Sequence, residues 1–209
     1  MSDYKLYSVR ALYPRLHEPH NFNASENRSA PCAYNAPDAR YECSFIIPPE
    51  EAKKVARAAK SAFDAAKKPE WANWTPSGLD DLFKKDTDMD GVVTGNYILK
   101  SVKKTYGEMG NAPKVWMPDS KEAPEGFRLT NGSICHVLLK LAAWNYAGKS
   151  GVQFRLKGVK LVTLADAPTS IDPFANDPDA PDDLDAFLND FAGQNPPKAN
   201  ADFEDEIPF

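Results

Sequence analysis

Cysteine is scarce: the 209-residue chain has three, Cys32, Cys43 and Cys135. An odd, sparse set without CxxC spacing argues against a disulfide framework and against a structural zinc site. His17, His20 and His136 form no metal-ligand pattern. Cys135 and His136 are chain neighbours, so in a strand their side chains point to opposite faces, which defeats a Cys–His dyad. No phosphate-cradling glycine loop and no GxSxG nucleophile elbow occurs. Long apolar runs are missing too. The longest, residues 134–144, is interrupted by His136 and Lys140 and falls short of the roughly 18–20 residues that span a bilayer. Met1-Ser2-Asp3-Tyr4-Lys5 lacks the apolar core of a secretion signal. These absences predict a soluble, reduced, non-enzymatic protein with no membrane partner, no cofactor and no metal.

Positive charge is nearly absent from one region. The net charge is −5, but residues 171–209 hold eleven acidic residues against Lys198 alone. Residues 1–170 are therefore net basic, by about five charges, and a mildly basic body joins a strongly acidic tail. The composition changes for good after Ala167-Pro168, which places a boundary near residue 170. Domain 1–170 would bind; tail 171–209 would be mostly disordered, because it cannot bury enough apolar surface to fold. Leu184, Phe187, Leu188 and Phe191 recur at helical spacing and predict one short amphipathic acidic helix in that tail.

In the body, residues 4–13 are β-prone and are expected to stop at Pro14. Residues 18–38 read as a long loop. Residues 40–47 alternate, with Tyr41, Cys43, Phe45 and Ile47 on one face. Residues 50–68 predict a helix, with Pro49 suited to its first turn and Pro69 ending it. Residues 70–92 read as irregular, and Trp71 and Trp74 as packing anchors. Residues 96–105 predict a strand, and 107–126 a loop around Val115-Trp116-Met117. Residues 133–146 and 152–164 predict two strands joined by a turn over 147–151. The sum is a mainly β protein: an OB-fold-like, partly open five-stranded barrel with one helix after the second strand.

The last two strands define a candidate site. Cys135, Val137, Leu139, Leu141 and Ala143 are all apolar and read as core. His136, Lys140, Trp144 and Tyr146 then face outward, beside Arg155, Lys157 and Lys160 of the next strand, with Gly158 permitting a bulge. Lys149 sits in the connecting turn. Lys100, Lys103 and Lys104 extend the patch, as do Arg10, Tyr13 and Arg15. Cations that neutralise phosphates, interleaved with flat rings that stack on unpaired bases, suit a single strand of nucleic acid. Asp86-Thr87-Asp88-Met89-Asp90-Gly91 matches the start of an EF-hand loop, but Tyr97 stands where the closing bidentate Glu belongs, so an acidic turn is expected there.

The chain ends Asp202-Phe203-Glu204-Asp205-Glu206-Ile207-Pro208-Phe209. This resembles the C-terminal tip of the bacterial single-stranded-DNA-binding proteins (SSB), which implies a mobile, acidic, Phe-terminated segment that captures replication and recombination proteins. Tyr13-Pro14-Arg15-Leu16-His17-Glu18-Pro19, the strand 40–47 with Pro48 and its helix, and the strand from Gly151-Val152 to Val159 resemble a family of tailed-phage single-stranded-DNA-binding proteins with an OB-fold. The resemblance implies sequence-independent binding of single-stranded DNA in the cytoplasm of an infected bacterial host. It assigns no DNA-contacting residues position by position, and it leaves the oligomeric state open. The competing reading is an adaptor or inhibitor that mimics the bacterial tip without binding DNA.

Overall fold

The computed structural model describes residues 2–25, 27–105 and 112–166. Strand β1 (Ser2–Asn23) organises the whole body. It does not stop at Pro14 as expected, because bulges let it bend instead of end; two of its three register shifts begin before Pro14. One extra residue is inserted between Leu6 and Val9 against the later strand β7 (Ile134–Tyr146), and one between Leu12 and Arg15 against β3 (Arg40–Ile47). Each bulge holds a left-handed residue, Ser8 at φ 52° and Tyr13 at φ 49°. Pro14 falls inside the second bulge, where the ladder is already interrupted, so its missing N–H costs no sheet bond. The first half of β1 pairs with β7 and the later part with β3; Arg10 lies opposite both Ile46 and Ile134.

The barrel closes from these pairings. β3 pairs along its length with β5 (Val93–Lys104), and β7 forms a long hairpin with β8 (Lys149–Thr163). A single parallel register pair, Val102 opposite Arg155, joins β5 to β8 and completes the circle. Counting barrel strands only, the order is 1-2-3-5-4-1, the OB-fold arrangement. The five-stranded barrel read from the sequence is present, and the seam that shuts it is short.

Helix α1 (Pro49–Ala66) follows the second barrel strand. Ala52, Val55, Ala59 and Phe63 form its buried stripe, and the helix meets β1, β5, β7 and β8, so it plugs one barrel end. The Tyr4 hydroxyl donates to Glu51 at 2.9 Å and ties β1 to the helix. Burial, then that carboxylate, pushes the Tyr4 pKa up to about 12. The interior is apolar: Leu6, Phe45, Ile47, Leu99, Val137, Leu139, Leu156 and Val159 are buried, together with Cys43 and Cys135. Burial pushes the Cys135 thiol up to about 12 and raises Cys43 as well, which leaves both as protonated core residues.

The chain between barrel strands is more ordered than its composition predicts. The expected loop at 18–38 contains the end of β1 and a paired strand, β2 (Arg28–Pro31). The irregular stretch 70–92 contains a short 3-10 turn, Leu79–Asp81, and β4 (Lys84–Thr87), which lines up beside β5. The loop around Trp116 contains β6 (Lys114–Trp116), parallel to β8. None of the three alternates in hydropathy; each is recruited by an exposed edge or face of a barrel strand. The β7–β8 turn is also tighter than the expected five residues. It consists of Ala147 and Gly148, both at positive φ, the requirement of a type I′ turn. The tail 171–209, its expected amphipathic helix and the boundary near residue 170 lie outside the described residues.

Candidate functional site

Residues directly opposite each other on paired strands share a face. Round the barrel, Arg15 stands opposite Glu42, Glu42 opposite Val102, and Val102 opposite Arg155; Arg155 stands opposite Lys140, and Lys140 opposite Asp3. One outward belt therefore carries three of the expected basic residues, Arg15, Lys140 and Arg155. Lys100 and Lys104 flank Val102 two residues to either side and share its face.

Against this belt lies a cleft of about 830 Å³. Lys100 and Lys104 of β5, Arg155 of β8, and Trp144 and Tyr146 of β7 all line it. Trp144 is 39 % exposed and Tyr146 78 %. Register explains the Trp144 pose: Gly151 is its cross-strand partner, and the indole lies so close that a Cβ on residue 151 would come within 2.9 Å of the ring. Trp74 also lines the cleft, packed against Phe63 of α1 with ring centroids 5.4 Å apart. It is thus the packing anchor expected from the sequence and a cleft-lining ring as well. No period in the sequence marks that second role, because a loop brings Trp74 there by resting on the helix. Gln153, whose carbonyl accepts from Arg155 Nε at 3.0 Å, also lines the cleft without having been singled out.

A second cleft of about 490 Å³ adjoins the first and shares Asp81, Leu82 and Lys100 with it. Tyr13 lines it, with 69 % of the residue exposed. A tyrosine at positive φ is unusual; its N–H donates to Asn131 Oδ1 at 2.9 Å, which holds the bulge. The two clefts run together past Lys100, from Tyr13 at one end to Trp144 and Tyr146 at the other.

Glu42 sits on the belt and is only 7 % exposed. Arg15 Nη1 bonds Oε1, Arg40 Nε lies 3.3 Å from Oε2, and Lys100 Nζ lies 3.2 Å from Oε2. Burial alone would raise this carboxyl. The charge and hydrogen bond of Lys100, then Arg40 and Arg15, outweigh it and hold the group below the ordinary carboxylate range. The cluster keeps a net charge of two positive units on the belt.

Other expected residues are placed elsewhere. Lys103 lies on the opposite phase of β5 from Lys100 and Lys104, across from Tyr41, and burial lowers its pKa. Lys149 is exposed beside the tight turn, opposite Tyr146. Arg10 is exposed on β1. Lys157 is the extra residue of a β8 bulge next to Gly158 and pairs with Asp3 at 2.8 Å. Lys160 donates to Ser120 Oγ at 2.7 Å and lines a separate apolar pocket of about 220 Å³ with Tyr7, Trp116 and His136. The EF-hand-like run forms an Asx turn, with Asp88 Oδ1 accepting from the N–H groups of Asp90 and Val92. Among the described residues no group of three or more His, Cys, Asp or Glu could hold a metal ion, and no helix is long and apolar enough to cross a membrane. Asp202, Phe203, Glu204, Asp205, Glu206, Ile207, Pro208 and Phe209 lie outside the described residues.

No family model and no curated protein sequence matches the chain. Solved structures do. The single-stranded DNA-binding protein of bacteriophage Enc34, in complex with single-stranded DNA, superposes with a TM-score of 0.55 at 12 % identity, over 79 % of this chain and 88 % of that one. Gp2.5, a single-stranded DNA-binding protein encoded by bacteriophage T7, superposes with a TM-score of 0.50 at 17 % identity, over 84 % and 94 %. The barrel with its single helix is thus a fold found in phage proteins, shared here at an identity that speaks for architecture alone.

Proposed function

We propose that this protein binds single-stranded DNA without sequence preference during phage DNA replication or recombination, in the cytoplasm of the infected host and without catalysing a reaction. The observation that carries the reading is the cleft in which Lys100, Lys104 and Arg155 converge with Trp144, Tyr146 and Trp74. Ammonium and guanidinium groups supply the sequence-blind phosphate contacts, and each ring offers a stacking platform. The fold in which the cleft sits is that of two phage proteins whose own ligand is single-stranded DNA. Lys140 and Lys149, cross-strand neighbours of the cleft-lining Arg155 and Tyr146, add to the basic surface, as does the exposed Arg10 of β1.

The acidic tail has two roles in this proposal. Its tip, Asp202 to Phe209, docks replication proteins, with the Phe209 ring entering a pocket on the partner and the acidic side chains meeting basic groups around it. Its charges also compete with DNA for the basic belt at the high effective concentration a tether provides. A gel shift with oligo-dT and with duplex DNA of equal length, at two salt concentrations, tests the reading. Preferential retardation of the single strand, weakened by salt, is the expected result. Removing residues 171–209 should tighten that binding at low salt, and deleting Phe209 alone should leave it unchanged. A tail-less body that retards neither probe would turn the assignment to an adaptor that works through its tip alone.

A further inference from the structure

The Glu42 cluster has a feature that phosphate binding by itself does not need. A basic surface meant for a polyanion gains nothing obvious from a nearly buried carboxylate at its centre. Yet both oxygens of Glu42 are engaged, Oε1 by Arg15 and Oε2 by Arg40 and Lys100. The three cations differ in freedom. The Arg15 and Arg40 side chains are largely covered, at 30 % and 24 % exposure, whereas Lys100 is 60 % exposed and lines both clefts. Register fixes the two arginines: Arg15 is the direct cross-strand partner of Glu42, and Arg40 is two residues away on the same strand face. Lys100 reaches Glu42 diagonally from β5 on a long flexible stem.

The geometry points to Glu42 as a built-in phosphate surrogate: it fixes Arg15 and Arg40 in the belt and holds Lys100 until a backbone phosphate of single-stranded DNA takes that ammonium over. This rests on the reading of the cleft as the DNA site. A carboxylate presents two oxygens to a guanidinium fork much as a phosphodiester does. In the unliganded protein it partly neutralises a cluster that would otherwise repel itself. On binding, Lys100 exchanges one anion for another at little net gain. Glu42 therefore holds affinity down and keeps the strand exchangeable, at the junction of the two clefts.

Glu42→Gln keeps the shape and removes the charge. In a fluorescence titration with oligo-dT, this variant should bind roughly three- to tenfold tighter than wild type at low salt. The slope of log K against log salt should stay that of wild type, because Lys100 meets the same phosphate in both complexes. Lys100→Gln should cost wild type less affinity than Glu42→Gln gains and, introduced into Glu42→Gln, should abolish the gain. Unchanged or weaker binding by a folded Glu42→Gln variant overturns the inference. Should that variant fail to fold, the wild-type protein decides by crystallography with bound oligo-dT. Lys100 Nζ moved from Glu42 Oε2 onto a phosphate supports the exchange, and an intact 3.2 Å pair refutes it. Wild-type protein that fails to bind oligo-dT at all identifies the DNA assignment itself as the error.

Discussion

Two tryptophans cover two glycines of the same strand, and the results differ. Trp144 lies over Gly151 near the β7–β8 turn, and Trp116 lies over Gly158 seven residues further along β8. Both are close approaches that only a residue without Cβ permits. Around Trp144 the neighbours are Lys100, Lys104, Arg155 and Tyr146, and the ring stays partly exposed beside a wide cleft. Around Trp116 they are Leu6, Val137 and Leu138 with Tyr7, His136 and Lys160, beside a small apolar pocket. The ring there belongs to β6, which is held to β8 by three parallel register pairs. In the proposed function, one packing device serves as a ligand platform where it meets cations; where it meets a strand it is a fastener.

The largest expected effect breaks the fastener. In Gly158→Ala the new methyl collides with the Trp116 ring and comes within 3.1 Å of the Lys114 carbonyl. A backbone fixed in a ladder cannot yield as a side-chain end can. The expected cost is about 2–3 kcal/mol of stability, read as a lowered urea midpoint. The affinity of the folded fraction for oligo-dT should not change, and a loss would make the Trp116 side part of the binding surface.

Trp144→Ala breaks the platform instead. Removing one stacking ring should cost about 1–3 kcal/mol of binding. The loss should be similar for oligo-dT and a mixed-sequence oligonucleotide, with little change in urea midpoint because the ring is partly solvated. A fluorescence titration showing undiminished affinity would leave the two tryptophans as twin fasteners.

A smaller effect separates the two sides by acid. Only the cleft side carries the nearly buried, ionised Glu42. Its folded-state pKa is depressed, so its contribution is present above the ordinary carboxylate range and lost as pH falls through the lowered value. Glu42→Gln should therefore flatten the acid limb of the stability profile below about pH 4. A limb as steep as in wild type would mean that other carboxylates govern acid unfolding.

Legibility in the sequence followed periodicity. The hairpin strands alternate cleanly, so Cys135, Val137, Leu139 and Leu141 could be assigned inward and Lys140, Trp144 and Tyr146 outward from spacing alone. The bulge at Lys157 and Gly158 was legible too, since the apolar phase of β8 changes there. What could not be read is what depends on partners far along the chain. β2, β4 and β6 carry no pattern of their own and exist as neighbours of barrel strands. Pro14 looked like a strand end because its bulge is defined by β3, not by local composition. Glu42 looked like an ordinary outward residue of β3, and the convergence of Arg15, Arg40 and Lys100 on it follows from register that no local window contains.

The smallest change is the most discriminating. Gly151→Ala leaves Trp144 in the chain and alters only where its ring can rest. The three atoms nearest the new methyl all belong to that indole, and a partly exposed side chain can tilt away. Replacing a strand glycine removes backbone freedom from the unfolded state, a gain of about 0.5–1 kcal/mol that offsets the strain of tilting. Net stability should therefore move by no more than about 0.5 kcal/mol. Binding should respond differently, because a tilted indole presents a different surface to the cleft it shares with Lys100 and Arg155. A two- to fivefold loss of oligo-dT affinity, about 0.4–1 kcal/mol, is expected without a change in salt slope, since no phosphate contact is touched. A stability loss as large as that of Gly158→Ala would show that Trp144 is clamped as tightly as Trp116. In that case its environment, and not its mobility, would be the whole difference between the two sides.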